Sequence, residues 1–258
     1  MLHLVINLDK SKSRWESIVP LLNSFGINPE RIPGVDGTNI TEEEYEYITP
    51  PLDDPSKIDF PRQLTKNEVG CFLAHKKCWQ HLVDSQENWA MIMEDDILFS
   101  DRAKPYITNT DWIPPFCKIV QLSSFRKKTF HVASESLYLA NGDQLVRPFK
   151  PYPYGCQAYL IRRDLAHEAI RASQKIILPV DDFLFSYRSR FCRSFVFNFY
   201  YRLNPAVVCP DDRFSSEIGN RSNLKKSLKI KLHPSRLAFK FGYFIKALFL
   251  PKKELFFK

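Results

Sequence analysis

Hydrophobic and polar positions along this chain keep two rhythms, and the switches between them mark its elements. Leu2 to Leu8 is mostly apolar and reads as a first strand. From about Lys12 to Phe25, the residues Trp15, Ile18, Val19, Leu22 and Phe25 form one helical stripe. Asp9 or Ser11 can cap this helix and Gly26 can end it. Ile32 to Gly37 is a short segment closing in the turn P-G-V-D-G. Residues 41–63 hold acids, four prolines and little periodicity, and read as a surface excursion. Thr65 opens a second long helix, with Glu68 at the T-x-x-E spacing of a capping box. Val69, Phe72, Trp79 and Leu82/Val83 form its buried stripe, with His75 on or beside it.

Residues 89–93 are a continuous apolar run, as in a strand buried on both faces. Residues 117–123, Tyr154 to Ile161 and Phe195 to Leu203 read as further strands, and Ile176 to Val180 as one leading into Asp181 and Asp182. Residues 124–150 are polar and basic, a loop or hairpin, and Asp164 starts a helix to about Ser173. Strands alternating with helices predict an α/β sandwich with a mostly parallel sheet.

Composition narrows this little. The chain has 258 residues, 44% hydrophobic and 26% charged, ordinary values for a globular protein. Its eight glycines argue against a glycine-loop nucleotide fold. The N-terminus lacks a basic start and a long apolar stretch, so no secretory signal is expected. The six cysteines are then expected as reduced thiols in a cytoplasmic protein, and without a C-x-x-C pair a structural zinc site is not expected. Charge changes the picture more. Residues 221–258 hold eleven Lys or Arg and one acid, net +10, leaving 26 basic against 28 acidic residues in 1–220, net −2. The chain thus divides into a near-neutral domain, 1–220, and a basic tail, 221–258.

The candidate chemistry centres on W-A-M-I-M-E-D-D-I-L-F, residues 89–99. Glu94, Asp95 and Asp96 fall at the carboxyl end of a predicted strand, where open α/β sheets bind ligands. Three crowded carboxylates repel one another and call for a cation. A hard divalent ion, Mg²⁺ or Mn²⁺, itself bound to a phosphate, suits oxygen donors. The plain alternative is a solvated acidic turn.

Several blocks in order resemble glycosyltransferase family 25, the lipopolysaccharide-biosynthesis galactosyltransferase group. They are V-I-N-L-D with Arg14 downstream, G-V-D-G at 34–37, L-T-K-N-E-V-G-C-F-L-A-H at 64–75, M-E-D-D-I at 93–97, G-C-Q-A-Y-L-I at 155–161, P-V-D-D at 179–182 and F-S-S-E-I at 214–218. One departure is Ala74, where the family commonly has Ser. The resemblance implies a GT-A-like nucleotide-sugar-binding fold, a UDP-sugar donor (most simply UDP-galactose) and inversion at the anomeric carbon. It implies that Asp96 binds the metal and Glu94 contacts the ribose or the metal's water shell, while Asp95 points away and is structural. An inverting transfer needs a carboxylate base, for which Asp181 and Asp182 stand out, Asp181 first. Asn7, Arg14 and Asp36 would hold the nucleotide, and Glu68, His75 and Gly155 would border the donor. Each also has a plainer reading: Glu68 in its capping box, His75 as a core histidine, Arg14 solvated on its helix, Asp36 in an Asx-turn, Gly155 at a bulge. Rival functions are a metal-dependent nucleotide-sugar phosphohydrolase, disfavoured by few histidines, and a catalytically silent membrane-docked binding protein.

Residues 235–250 predict an amphipathic helix, with Arg236, Lys240, Tyr243 and Lys246 inside a roughly 120° arc. At ~24 Å it falls short of the ~30 Å hydrocarbon core and is expected to lie in the interface. The surrounding lysines would attract anionic lipid headgroups. The expected place is therefore the inner face of a bacterial cytoplasmic membrane, where a lipid-linked oligosaccharide acceptor would be met. The alternative is a tail packed on the body or on a second copy. No nucleic-acid partner is expected, since the body is not basic.

Overall fold

The structure, a computed structural model, describes residues 1–54, 56–57, 60, 62–124, 128–132, 136–149, 155–214, 234, 245, 250, 252–255 and 257. The chain begins β1 (Leu2–Asn7), α1 (Lys12–Ser24), β2 (Glu30–Pro33), α2 (Glu42–Ile48), α3 (Lys66–Asp84), β3 (Trp89–Glu94), β4 (Ile97–Phe99), α4 (Lys104–Ile107) and β5 (Ile119–Gln121). It continues β6 (Lys128–His131), β7 (Leu137–Tyr138), β8 (Gln144–Val146), β9 (Ala158–Arg162), α5 (Arg163–Ala172), α6 (Val180–Phe185), β10 (Tyr200–Asn204), β11 (Val208–Pro210) and β12 (Lys252–Leu255).

Eight strands form one sheet in the order β2-β1-β3-β9-β5-β10-β8-β7. β1 runs parallel to β2 and β3, and β5 to β10, while β9 opposes β3 and β5 and β8 opposes β10 and β7. All strands except β8 and β9 therefore point one way, the mostly parallel sheet that the alternation predicts. Side chains alternate across it with the two-residue period of a strand. Leu4, Ala90, Ile92, Tyr159 and Ile161 pack on one face beneath α3, α5 and α6. Val5, Met91, Met93, Ala158 and Leu160 pack on the other with Ile18 and Leu22 of α1 and Tyr106 and Ile107 of α4. This two-sided cover makes an α/β sandwich.

α3 follows the reading closely. Its capping box is present at Thr65 and Glu68, and its buried face carries Val69, Phe72, His75, Trp79 and Leu82. Gly26, past α1, takes φ +80°, the left-handed value of a helix terminator.

Three expectations are corrected. The excursion at 41–63 contains α2, whose Thr41–Glu44 capping box is obscured in sequence by the prolines that follow. Ile176 to Val180 is no strand: Pro179, with φ −55° and ψ 154°, caps α6 instead, so Asp181 and Asp182 lie in a helix's first turn. The β-prone run from Phe195 starts as a π-helical turn at Cys192–Val196, and β10 begins only at Tyr200. There Phe191 stacks on Phe183 with centroids 4.5 Å apart and on Phe195 at 5.5 Å, and this packing overrides local β preference.

The amphipathic helix read at 235–250 lies outside the described residues except at single positions. Beyond it, β12 pairs antiparallel with β6, Lys252 opposite His131 and Leu255 opposite Lys128. Among the described residues, no helix is long and apolar enough to cross a membrane.

Candidate functional site

Because β1, β2 and β3 are parallel neighbours, their carboxyl ends open at one edge. Leu8 follows β1, the turn Gly34–Gly37 follows β2, and Glu94–Asp96 end β3. α3 lies across them through Asn67, Cys71, Ala74 and His75, and a cleft of about 730 Å³, counting space open to solvent, lies between. Gly70 makes this approach possible. A Cβ there would stand 2.4 Å from the Val35 carbonyl oxygen, and one on Gly37 would stand 2.4 Å from the Asn67 nitrogen. The glycine of E-V-G-C is therefore a contact surface for the neighbouring turn.

Asp95, expected to point away, borders the cleft beside Glu94 and Asp96, while its carboxylate is also held from behind. Asn7 Nδ2 donates to its Oδ2 at 2.6 Å and Arg14 Nη1 to its Oδ1 at 3.2 Å. Asn7 is itself held by Arg31, whose Nε donates to Asn7 Oδ1 at 2.8 Å. Asn7 thus supports Asp95 and does not line the cleft. Arg14 also reaches Asp96 Oδ2 at 3.4 Å and packs over the Phe214 ring at 5.2 Å. Glu94, Asp95 and Asp96 all border the cleft, and Arg14 is a cation paired with Asp95 and Asp96. Burial, and then the charge of Asp95, pushes Glu94 up to about 7. Burial, and then the charge of Glu94, pushes Asp96 up to about 7. Two cleft-facing carboxylates that resist ionisation, built from hard oxygen donors, fit a divalent cation.

His75 is fully buried yet borders the cleft. Its Nδ1 lies 3.0 Å from the Tyr159 hydroxyl, which accepts a hydrogen bond from Trp79 Nε1 at 2.9 Å. Burial lowers the His75 pKa to about 3, so the ring is neutral. Its Nε2 stands 3.7 Å from Glu94 Oε1. Cys71, one turn earlier on α3, completes a group with His75 and Glu94 whose ligand-type atoms lie within 4.8 Å of one another. Sequence reading passed over Cys71, although its four-residue spacing from His75 places both on one helical face. Trp79, expected only as a core position, and Tyr159, expected only within a strand, reach the site through His75.

The remaining candidates fall around this centre. Asp36 borders the cleft but closes an Asx-turn, accepting from Thr38 N at 3.0 Å and pairing with Lys10 Nζ at 2.8 Å. Those donors, Lys10 foremost, hold its carboxyl down at about 2. Glu68 is buried against Arg62, at 2.6 and 2.8 Å, and the Thr65 backbone N–H at 2.9 Å, which is the plainer reading. Gly155 takes φ +72° and its carbonyl accepts from Gln121 Nε2 at 2.6 Å. Asp181, in the first turn of α6, accepts from the Asp182 backbone N–H at 2.9 Å. Asp182 Oδ1 is buried without a hydrogen-bond partner among the described residues, and burial raises its pKa. Asp181 and Asp182 stand outside the cleft lining, yet the Cys71 and Cys156 thiols are both raised, after burial itself, by the charges of Glu94 and Asp181.

The chain is similar in sequence to several known proteins. A "Glycosyltransferase 25 family member" of Drosophila pseudoobscura pseudoobscura is 28% identical over 189 residues, 70% of this chain and 29% of its own length. Human "Procollagen galactosyltransferase 2" is 25% identical over 194 residues, again 70% and 29%. The "Lipooligosaccharide biosynthesis protein lex-1" of Haemophilus influenzae is 23% identical over 199 residues, 70% of this chain and 65% of that protein. The chain therefore spans under a third of the animal relatives. A solved glycosyltransferase involved in glycosylation of the major capsid of PBCV-1 aligns over 83% of this chain and 95% of its own, at 11% identity and a TM-score of 0.41. The model of glycosyltransferase family 25 (LPS biosynthesis protein) matches residues 1–184, a stretch that holds every acid of the cleft together with Asp181 and Asp182, and the chain belongs to that family.

Proposed function

We propose that the cleft binds a UDP-sugar, most simply UDP-galactose, and that the protein transfers the sugar with inversion to a lipopolysaccharide or lipooligosaccharide acceptor. The observation that carries this reading is the group at the end of β3: Glu94 and Asp96 face a cleft while Arg14 and Asn7 hold Asp95. The relatives named for galactosyl transfer and for lipooligosaccharide biosynthesis support the sugar and the acceptor class.

Asp96, with Glu94 beside it, would hold a Mn²⁺ or Mg²⁺ ion. Bound with a diphosphate, such an ion supplies positive charge against the charge developing on the leaving UDP. Arg14 offsets part of the carboxylate charge and holds Asp95. Asp181 or Asp182 takes the proton of the attacking acceptor hydroxyl. The buried Asp182 Oδ1, without a hydrogen-bond partner among the described residues, suits a group that waits for a proton. Residues 221–258 would hold the enzyme peripherally at the cytoplasmic membrane face, beside its lipid-linked acceptor.

Titration calorimetry with UDP, with and without Mn²⁺, joined to transfer assays with UDP-galactose, UDP-glucose and UDP-N-acetyl sugars, tests the reading. Asp96→Asn is expected to abolish the Mn²⁺-dependent heat and lower transfer at least 100-fold. At saturating donor, one of Asp181→Asn and Asp182→Asn is expected to lose turnover. Near-normal turnover in both would remove the assigned base, and transfer without any nucleotide-sugar preference would remove the donor.

A further inference from the structure

We infer that His75 serves the cleft as a fixed hydrogen-bond donor, presenting an N–H from Nε2 to an acceptor oxygen of the bound nucleotide sugar, with Tyr159 and Trp79 as the positioning residues that set its tautomer. The inference rests on the nucleotide-sugar reading of the cleft for its ligand, but not for its tautomer.

The Trp79 indole can only donate, and it donates to the Tyr159 hydroxyl at 2.9 Å. The hydroxyl keeps its own hydrogen, and its other partner among the described residues is His75 Nδ1 at 3.0 Å. Nδ1 must therefore accept, and a neutral imidazole then carries its hydrogen on Nε2. That nitrogen is buried and has no hydrogen-bond partner among the described residues. The nearest carboxylate, Glu94 Oε1 at 3.7 Å, is beyond hydrogen-bond distance. Folded proteins rarely leave a buried N–H unpaired, and this one borders the cleft.

The same polarity excludes a competing role. Cys71, His75 and Glu94 stand close enough to hold a metal ion. Ligation would need the Nε2 lone pair, moving the hydrogen to Nδ1. Tyr159 would then receive two donors, and its own buried hydrogen would have no acceptor. His75 is therefore a donor and not a metal ligand. A phosphate oxygen and a sugar hydroxyl offer the same acceptor chemistry.

The test uses the full chain labelled with ¹⁵N-histidine, the His75 signals being those missing from His75→Gln. In the free protein the spectrum is expected to show protonated Nε2 and bare Nδ1. The reverse pattern, or zinc binding that removes the Nε2–H signal, overturns the inference. Added UDP shifts the Nε2–H signal if the acceptor is a phosphate oxygen; a shift with UDP-galactose but not UDP assigns the sugar. Calorimetry is expected to show His75→Ala binding the effective ligand at least tenfold more weakly, and His75→Gln, whose amide N–H replaces Nε2–H, recovering most of that loss. Tyr159→Phe is expected to mix the tautomers and weaken binding while the ring remains. Binding with no Nε2–H shift, or equal affinity in His75→Ala, overturns the donor role and leaves the cleft reading intact. No heat from either ligand with the wild type overturns the cleft reading and the ligand assigned to His75, and the tautomer then stands on the spectrum alone.

Discussion

Asp96 is the side chain on which burial and repulsion act most openly. Its folded pKa of about 7 stands above the ordinary 3.8 because burial and Glu94 disfavour its charge more than Arg14 favours it. Between those two values the folded protein binds a proton that the unfolded chain releases, so this group's contribution to stability is lost as pH rises from about 4 to about 7. Without a bound cation, Asp96→Asn is therefore expected to gain on the wild type across that window, by about 2 kcal/mol once partial exposure is allowed for. Thermal melts of both proteins in chelator from pH 4 to 8 check this. A gap that does not open with pH would mean that Asp96 ionises freely. Residue placement was legible where a local rule governs it: T-x-x-E spacing gives Glu68 its cap. Alternation did not foresee that Asp95, past the end of β3, borders the cleft with Glu94 and Asp96. The burial of His75 was legible but its hydrogen-bond partner was not, because Tyr159 stands 84 residues away in sequence.

At the scale of elements, the cleft depends on how closely α3 lies against the turn after β2. Two effects of Gly70→Ala oppose each other. Alanine favours a helix interior by about 1 kcal/mol over glycine. Its Cβ would meet the Val35 carbonyl oxygen at 2.4 Å, and a backbone atom cannot swing aside as a side-chain end can. Overpacking of this kind costs about 1–3 kcal/mol, so the contact wins. The variant is expected to melt several degrees lower and to bind UDP more weakly, because the same shift moves Asn67 and Cys71. An unchanged melt would show that α3 lifts away freely. Elements with strong periodicity or clear caps, α1, α3, α5 and β3, were legible. α6 and the turn at Cys192–Val196 were not, since one depends on Pro179 standing as a cap and the other on the stacked rings of Phe183, Phe191 and Phe195.

For the whole molecule, strand direction makes the site and charge distribution sets its surroundings. Strand–helix alternation made the sandwich legible, and with it the edge where the ends of β1, β2 and β3 converge. The reversed strands β8 and β9 could not be read, because strand direction depends on pairing partners far along the chain. The body and the tail differ in charge by sequence alone, −2 over 1–220 against +10 over 221–258. Since β12 pairs with β6, truncation would remove a strand from the body along with the charge, so substitution is the cleaner probe. Lys225, Lys226, Lys229 and Lys231 replaced together by Gln remove four charges and leave β12 in place. At ~1 kcal/mol for each basic residue near an anionic surface, screened at physiological salt, affinity for vesicles containing phosphatidylserine is expected to fall at least tenfold. Transfer to a soluble acceptor is expected to stay unchanged, since Glu94, Asp96 and Asp181 are untouched. Co-sedimentation with neutral and anionic vesicles over a range of salt measures the first, and a soluble-acceptor assay the second. Equal sedimentation of wild type and variant would assign the tail's charge to another partner.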